Sequence, residues 1–301
     1  MNILITGGTG LVGTRLHSLL KKNHQIAFLS RTKRNEPLTF TWDIPTQKID
    51  RQALEWADAV VHLAGAGVAE KSWTEAYKRA ILESRTHSSR LLANTLSDLL
   101  PEQRPKIFIG ASAIGYYGLD TGSEILHESA PAGKEFLADV TAKWEAENQA
   151  IATLGLRTCL LRIGVVLDAE GGALQKMSSP VRWGAGASLG SGKQYISWIH
   201  IEDMARMIAF AIETPTLQGT YNAVAPTPIT NTMLTTTIAK VLGKSIILPA
   251  VPAFALKMIL GEMAGLVLGG NRISCEKIQQ AGFEFKFPAL EDALKDLFHK
   301  A

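Results

Sequence analysis

The segment Thr6-Gly7-Gly8-Thr9-Gly10-Leu11-Val12-Gly13 constrains this 301-residue chain more than any other. It follows an apolar run, Asn2-Ile-Leu-Ile-Thr6, and opens a stretch, 13–22, whose apolar residues recur at helical spacing. Three glycines at a strand-to-helix junction are what a dinucleotide site requires. Gly7 permits the tight turn, Gly10 lets the backbone approach a pyrophosphate, and Gly13 allows the helix to pack closely on the sheet. The helix start offers free N–H groups and a partial positive charge, so Thr9, Leu11 and Val12 join the glycines as candidate phosphate contacts.

The rest of the chain gives this turn its context. Strand-like runs at 2–6, 25–30, 39–42, 59–63, 106–111 and 157–163 alternate with helical patterns, notably 13–22, 73–99 and 136–154. Such alternation predicts right-handed βαβ units and a parallel sheet covered on both faces. After about Leu167 the rhythm breaks into loops, short strands and helices, including 230–242 and 253–268. The expected architecture is α/β: a Rossmann doubly wound parallel sheet over 1–167. A smaller C-terminal lobe over 168–301, interleaved with that core, closes over the site.

Composition excludes several classes. With 46% hydrophobic and 20% charged residues the chain has the profile of a globular protein with a sizeable core. The net charge of +3 is small and its basic residues are scattered, which argues against nucleic acid as a partner. The two cysteines, Cys159 and Cys275, show no metal-type spacing, and neither a disulfide scaffold nor a zinc site is expected. The most apolar late stretch, 251–268, is interrupted by Pro252, Lys257, Gly261, Glu262 and Gly265, which reads as packed helix and not as a membrane span. The first strand starts directly after Met1, leaving no room for a targeting peptide, so a cytoplasmic protein is expected.

Cofactor preference is read at the end of the second strand. A site for NAD places Asp or Glu there, on the ribose hydroxyls. Here the strand ends in Ser30-Arg31, followed by Lys33 and Arg34. A hydroxyl and a guanidinium suit a 2′-phosphate, so the expected cofactor is NADP(H). Trp42-Asp43, at the end of the third strand, is a candidate to flank the adenine, with Asp43 equally a helix cap. Beyond the fourth strand, Leu63-Ala64-Gly65 leaves room for the phosphate–ribose linkage, and Arg85 on the next helix is within reach of the same region.

These segments carry a family likeness. Thr6–Gly13, Ser30-Arg31, Leu63-Ala64-Gly65 and Ala111-Ser-Ala-Ile-Gly-Tyr-Tyr-Gly118 together resemble extended and atypical short-chain dehydrogenase/reductases. More specifically the chain is similar to the nucleoside-sugar epimerase-like group. Arg162-Ile-Gly-Val-Val-Leu167, Gly190-Ser-Gly-Lys-Gln194, Ser197-Trp-Ile-His200 and Tyr221-Asn-Ala-Val-Ala-Pro226 fit that likeness as well. The resemblance places Arg162 among the cofactor-side residues and implies hydride chemistry on a small polar carbonyl or sugar-like molecule. Homodimers are common in the superfamily, though no apolar stripe in the sequence demands one.

The superfamily's proton donor is a Tyr activated by a Lys four residues later, with a Ser or Thr orienting the substrate oxygen. Ser112 matches the Ser. The helix 136–147 that should carry the pair has no Tyr. Alignment on Glu145 puts Leu137 and Thr141 at the two positions; alignment on Glu147 puts Asp139 and Lys143 there. Tyr117 (with its neighbour Tyr116), Glu145 and His200 are the substitutes to weigh. A loop tyrosine more often lines a pocket, a helix glutamate is more often solvated, and His200 is as readily a helix cap as a catalyst. In the C-terminal lobe Arg182, Lys193 and Gln194 are candidates for an anionic or sugar-like ligand. Two readings follow: an NADP(H)-dependent oxidoreductase or epimerase using Ser112, Tyr117 and Glu145, or a non-catalytic NADP(H)-binding sensor.

Overall fold

Alternate side chains of β1 (Asn2–Thr6) enter different cores, Ile3 and Ile5 one, Leu4 the other, all of them fully buried. That pattern needs a sheet covered on both faces. The computed structural model, which describes residues 1–33 and 38–299, supplies it.

After β1 come α1 (Leu11–Leu20), β2 (Gln25–Ser30), β3 (Leu38–Asp43), β4 (Lys48–Ile49), α2 (Gln52–Trp56), β5 (Ala59–His62) and the long α3 (Glu75–Ser97). The middle of the chain forms β6 (Ile107–Ala113), β7 (Ile125–Leu126), α4 (Phe136–Ala152), β8 (Arg157–Ile163), β9 (Val165–Leu167) and α5 (Gly172–Arg182). There follow β10 (Tyr195–Ile196), β11 (Trp198–His200), α6 (Ile201–Glu213), β12 (Gly219–Ala223), β13 (Ile229–Thr230) and α7 (Asn231–Val241). The chain closes with α8 (Ala253–Leu260), α9 (Gly265–Leu268), β14 (Arg272–Ile273), α10 (Glu276–Gln280) and α11 (Leu290–His299).

The main sheet has eight strands in the order β12-β8-β6-β5-β1-β2-β3-β4. Its pairings are parallel except the outermost, β3 with β4. The chain reverses its direction of progress across the sheet at β1, whose neighbours are β2 and β5. This is the switch point at which two loops diverge and leave a crevice at the carboxyl ends of the strands. Leu16 and Leu20 of α1 with Met204 and Ile208 of α6 cover one face; Leu91, Leu92 and Leu96 of α3 with Ile151 of α4 cover the other.

β12 lies beyond residue 167 yet pairs with β8 in the main sheet, so the later part of the chain supplies both a sheet strand and the lobe above it. The lobe has its own core, built on Trp198, Leu174, Leu234 and Leu294. Thr230 caps α7 by accepting the Met233 N–H at 3.2 Å. The continuous helix expected over 253–268 is instead broken after Leu260. Gly261 takes φ 57, in the left-handed region that ends a helix, and α9 resumes after one short turn. Among the described residues no helix is long and apolar enough to cross a membrane.

Candidate active site

The glycine turn is shaped by contact as well as by conformation. Gly7 has φ +68, and a Cβ there would sit 2.9 Å from the Ala64 nitrogen, in the loop after β5. A Cβ on Gly13 would sit 2.4 Å from the Gly7 carbonyl oxygen, inside van der Waals contact with the turn itself. The Gly10 N–H donates to Gly7 O at 3.0 Å, and Gly10 is the N-cap of α1 with no side-chain cap. The first N–H groups of α1, those of Leu11, Val12 and Gly13, therefore have no partner within the helix.

Beneath the turn lies a directed chain of hydrogen bonds. Thr6 Oγ1 accepts the N–H groups of Leu63 at 3.1 Å and Ala64 at 3.2 Å, so its proton goes to His62 Nδ1 at 2.7 Å. The His62 proton then sits on Nε2 and is donated to Ser88 Oγ at 3.1 Å, which donates to Ser84 O at 2.7 Å. His62 is fully buried; burial first, then the charge of Arg85, lowers its pKa to about 3, so the ring stays neutral. The arrangement ties the ends of β1 and β5 to α3.

At the end of β2, Ser30 is half-buried and Arg31 exposed; Arg34 lies outside the described residues. Trp42 cannot flank a bound base: it is 5% exposed, in the core with Leu4 and Leu29. Its side chain falls on the inner face of β3, whereas Asp43, exposed at the strand end, accepts the Thr46 N–H at 3.4 Å.

From Leu11 a cavity of about 450 Å³ runs over the carboxyl ends of β6 and β8, at Ala113 and Ile163, to Leu266 and Val267 of α9. Arg85 of α3 borders it. One of its terminal nitrogens donates to Ala66 O at 2.9 Å and Ile81 O at 3.0 Å, and its guanidinium lies 5.2 Å from the Trp144 ring centre. Burial lowers its pKa to about 10, which leaves it charged at neutral pH. Leu137 and Thr141 of α4 line the same cavity, whereas Asp139 and Lys143 pair with each other at 2.8 Å, both exposed, on the opposite face. Helical geometry thus selects the alignment on Glu145: the faces the superfamily gives to Tyr and Lys carry Leu137 and Thr141 here.

Ser112, Tyr117, Glu145 and Arg162 meet one another, but behind the cavity wall. Ser112 Oγ donates to Glu145 Oε1 at 2.5 Å, and the Arg162 guanidinium grips both Glu145 oxygens at 2.8 Å. Arg162 also donates to the Tyr117 hydroxyl at 3.0 Å and to Glu128 O at 3.2 Å. The Tyr117 hydroxyl donates in turn to Asn222 Oδ1 at 2.7 Å. All four are at most 4% exposed and none borders the cavity. Burial works against the charge of Arg162, but the hydrogen bonds and charge of Glu145 outweigh it and raise its pKa. Burial also raises the Tyr117 hydroxyl, only partly offset by Arg162. Tyr116 is half-buried beneath the same guanidinium, 3.4 Å from its ring centre. Asn222 and Glu128 are members of this network to which the sequence assigned no role: Asn222 falls in the segment 221–226 that carries the family likeness, as a polar residue in an apolar strand, and Glu128 reads as a loop glutamate.

The remaining candidates lie apart. His200 caps α6, its Nδ1 accepting the Glu202 N–H at 3.0 Å, and its ring stacks on Phe287 at 3.9 Å. The Gln194 amide donates to Leu189 O at 3.0 Å and Val267 O at 2.7 Å, fastening the glycine turn 190–194 to α9. Lys193 is exposed, and Arg182 lies over the Phe298 ring at 5.2 Å.

Comparison with known proteins shows the family and the fold. The sequence model of the NAD dependent epimerase/dehydratase family matches residues 3–224, and a domain of unknown function (DUF1731) matches residues 251–297. The epimerase family protein YfhF of Bacillus subtilis is 36% identical over 99% of this chain and 98% of its own length. A chloroplastic SDR39U1 homologue of Arabidopsis thaliana is also 36% identical, over 98% of this chain and 86% of its own. Among solved structures, that of the human epimerase family protein SDR39U1 with NADPH superposes with a TM-score of 0.88 at 30% identity, covering 100% of both chains. UDP-glucuronic acid 4-epimerase from Bacillus cereus, at 18% identity and a TM-score of 0.79 over 99% of this chain and 98% of its own, shares the fold.

Proposed function

Because this chain belongs to the NAD dependent epimerase/dehydratase family, we propose that it is an NADP(H)-dependent oxidoreductase or epimerase-like enzyme acting on a small carbonyl compound. One observation carries this reading: the dinucleotide turn and the largely apolar cavity share Leu11, so a cofactor lying along the turn would present its reactive end to that cavity. The NADPH named with the human relative supports the choice of cofactor.

When bound, the nicotinamide supplies or takes the hydride. The chain's own residues hold and orient. Gly7, Gly10 and Gly13 give the backbone access to the pyrophosphate, with the N–H groups of Leu11 and Val12 facing it. Ser30 and Arg31 offer a hydroxyl and a guanidinium to the 2′-phosphate. Leu63, Ala64 and Gly65 leave space for the ribose, and Arg85 sets a positive charge at the cavity edge. Ser112, Tyr117, Glu145 and Arg162 brace the wall behind the site and do not reach the reacting atoms.

The non-catalytic reading is favoured by one specific observation, that Leu137 and Thr141 stand where a proton-donating pair would face the cavity. Calorimetric titration with NADPH and NADH tests the shared premise, and NADPH is expected to bind at least tenfold more tightly. Equal binding would remove the 2′-phosphate assignment, and no binding of either would remove the function. Oxidation of NADPH driven by a carbonyl library separates enzyme from sensor.

A further inference from the structure

The cavity is walled by apolar side chains, among them Ile114, Leu119, Leu137, Val140, Met177 and Val267. Its polar lining residues are Arg85, Thr141, Tyr195, Ser197, Asn231 and Asn271. Most of their hydrogen-bonding capacity is already spent inside the chain. The Thr141 hydroxyl donates to Leu137 O at 2.7 Å. Ser197 Oγ donates to Asn271 O at 2.8 Å and accepts the Ile273 N–H at 3.0 Å. The Asn271 amide donates to Gly118 O at 2.7 Å, and its Oδ1 accepts from Thr121 Oγ1 at 3.0 Å. Asn231 Oδ1 accepts the Leu189 N–H at 2.8 Å. Among the lining side chains, the Tyr195 hydroxyl and the Asn231 amino group make no hydrogen bond within the described residues, Thr141 Oγ1 keeps its acceptor capacity, and Arg85 keeps part of its donors.

A nucleotide sugar would fare badly here. Its ring hydroxyls need partners, and each one buried without a partner costs about 1–3 kcal/mol. Its diphosphate calls for a fork of Arg or Lys donors. Arg85 is the one charged side chain among the described lining residues, and it is partly committed to two carbonyls. Of the lobe's other cations, Arg182 lies over Phe298 and Arg272 over the Tyr195 ring at 5.6 Å, and neither they nor the exposed Lys193 borders the cavity.

We infer that the cavity takes a small, uncharged, largely apolar carbonyl compound in place of a nucleotide sugar, with the Tyr195 hydroxyl as the free polar group that meets its oxygen. This departs from the sugar-like substrate expected from the family resemblance, and it rests on the NADP(H) reading above. In the reducing direction a bound NADPH would supply the hydride to the carbonyl carbon and become NADP+. Tyr195 would give the carbonyl oxygen a proton and regain one from solvent, so that the carbonyl would become an alcohol.

The test separates binding from turnover. The full chain is loaded with NADP+, which cannot reduce a ketone, and titrated in a calorimeter with acetophenone and with UDP-glucose. Acetophenone is expected to bind at least tenfold more tightly than UDP-glucose. Tyr195→Phe should weaken acetophenone binding about two- to tenfold, the loss of one hydrogen bond, and leave NADP+ affinity unchanged. UDP-glucose binding as tightly as acetophenone, or uptake of neither by the loaded protein, overturns the inference. Unchanged acetophenone affinity in Tyr195→Phe removes Tyr195 from the site. A chain that fails to bind NADP+ at all overturns the NADP(H) reading itself, and this inference with it.

Discussion

Replacing Glu145 by Leu should cost far more stability than a helix glutamate ordinarily does. Its carboxylate accepts two bonds from Arg162 at 2.8 Å and one from Ser112 at 2.5 Å, and the Glu145 and Arg162 side chains are each 5% exposed. Removing the carboxylate strands a guanidinium in the interior, for which about 3–5 kcal/mol is expected. That is a large share of the roughly 5–15 kcal/mol that holds a typical domain together. Arg162→Met should cost a similar amount by stranding the carboxylate. The double variant Glu145→Leu/Arg162→Met strands neither charge and should recover most of the loss, to within about 1–2 kcal/mol of the parent. Urea denaturation followed by tryptophan fluorescence reads all four corners of this cycle. A loss below 1 kcal/mol in Glu145→Leu, or a double variant whose loss is the sum of the two singles, would refute the claim that the pair is a closed buried unit. NADPH affinity of the folded double variant should stay within about threefold of the parent, because neither residue borders the cavity.

Arg31→Glu is expected to weaken NADPH binding at least tenfold while changing NADH binding little, read by calorimetry; equal losses for both would take Arg31 away from the 2′-phosphate. Gly13→Ala should abolish binding of either dinucleotide, because the added Cβ would lie 2.4 Å from Gly7 O and the turn must open to admit it. Gly10→Val should do the same by a different route, filling the pyrophosphate's approach, and retained binding in either variant would count against the turn as the site. His62 gives a pH signature: its pKa is lowered to about 3 in the folded chain, so between that value and the ordinary 6.5 the unfolded state binds the extra proton. Its contribution to stability is complete above 6.5 and declines as pH falls toward 3, by about 1.4 kcal/mol per pH unit. Relative to the parent, His62→Gln should therefore flatten the fall in stability between pH 6.5 and 5 by about 2 kcal/mol in urea titrations, and parallel curves would contradict the buried neutral imidazole.

Much of this molecule was legible along the chain. The unbroken apolar run in Asn2–Thr6, the Gly7–Gly13 spacing and the alternation of strand with helix are local patterns, and local sterics and burial suffice to place a glycine turn at the head of a parallel sheet. The strand ends at Ser30 and His62 fell where apolar runs stop, so the crevice and its neighbours followed. The break at Gly261 did not, because an apolar run tolerates a glycine or is cut by it according to what packs around it.

Whether the candidate polar residues face the cavity depended on something the sequence does not hold. Ser112, Tyr117, Glu145 and Arg162 are residue types that could each perform proton transfer, and their spacing is compatible with it. Only the packing of β6, α4 and β8 turned them toward one another, so that their charges and hydroxyls neutralise a buried network instead of facing a ligand. The register of α4 was likewise ambiguous by sequence, since Glu145 and Glu147 are equally good anchors; the burial of one face put Leu137 and Thr141 on the cavity and left Asp139 and Lys143 in water. A sequence fixes where a chain turns and which stretches are buried, because those are set by neighbours a few residues away. Whether a polar side chain faces a ligand or another side chain is set by residues tens of positions distant, and that was decided only when Ser112 closed on Glu145 and Tyr117 on Asn222.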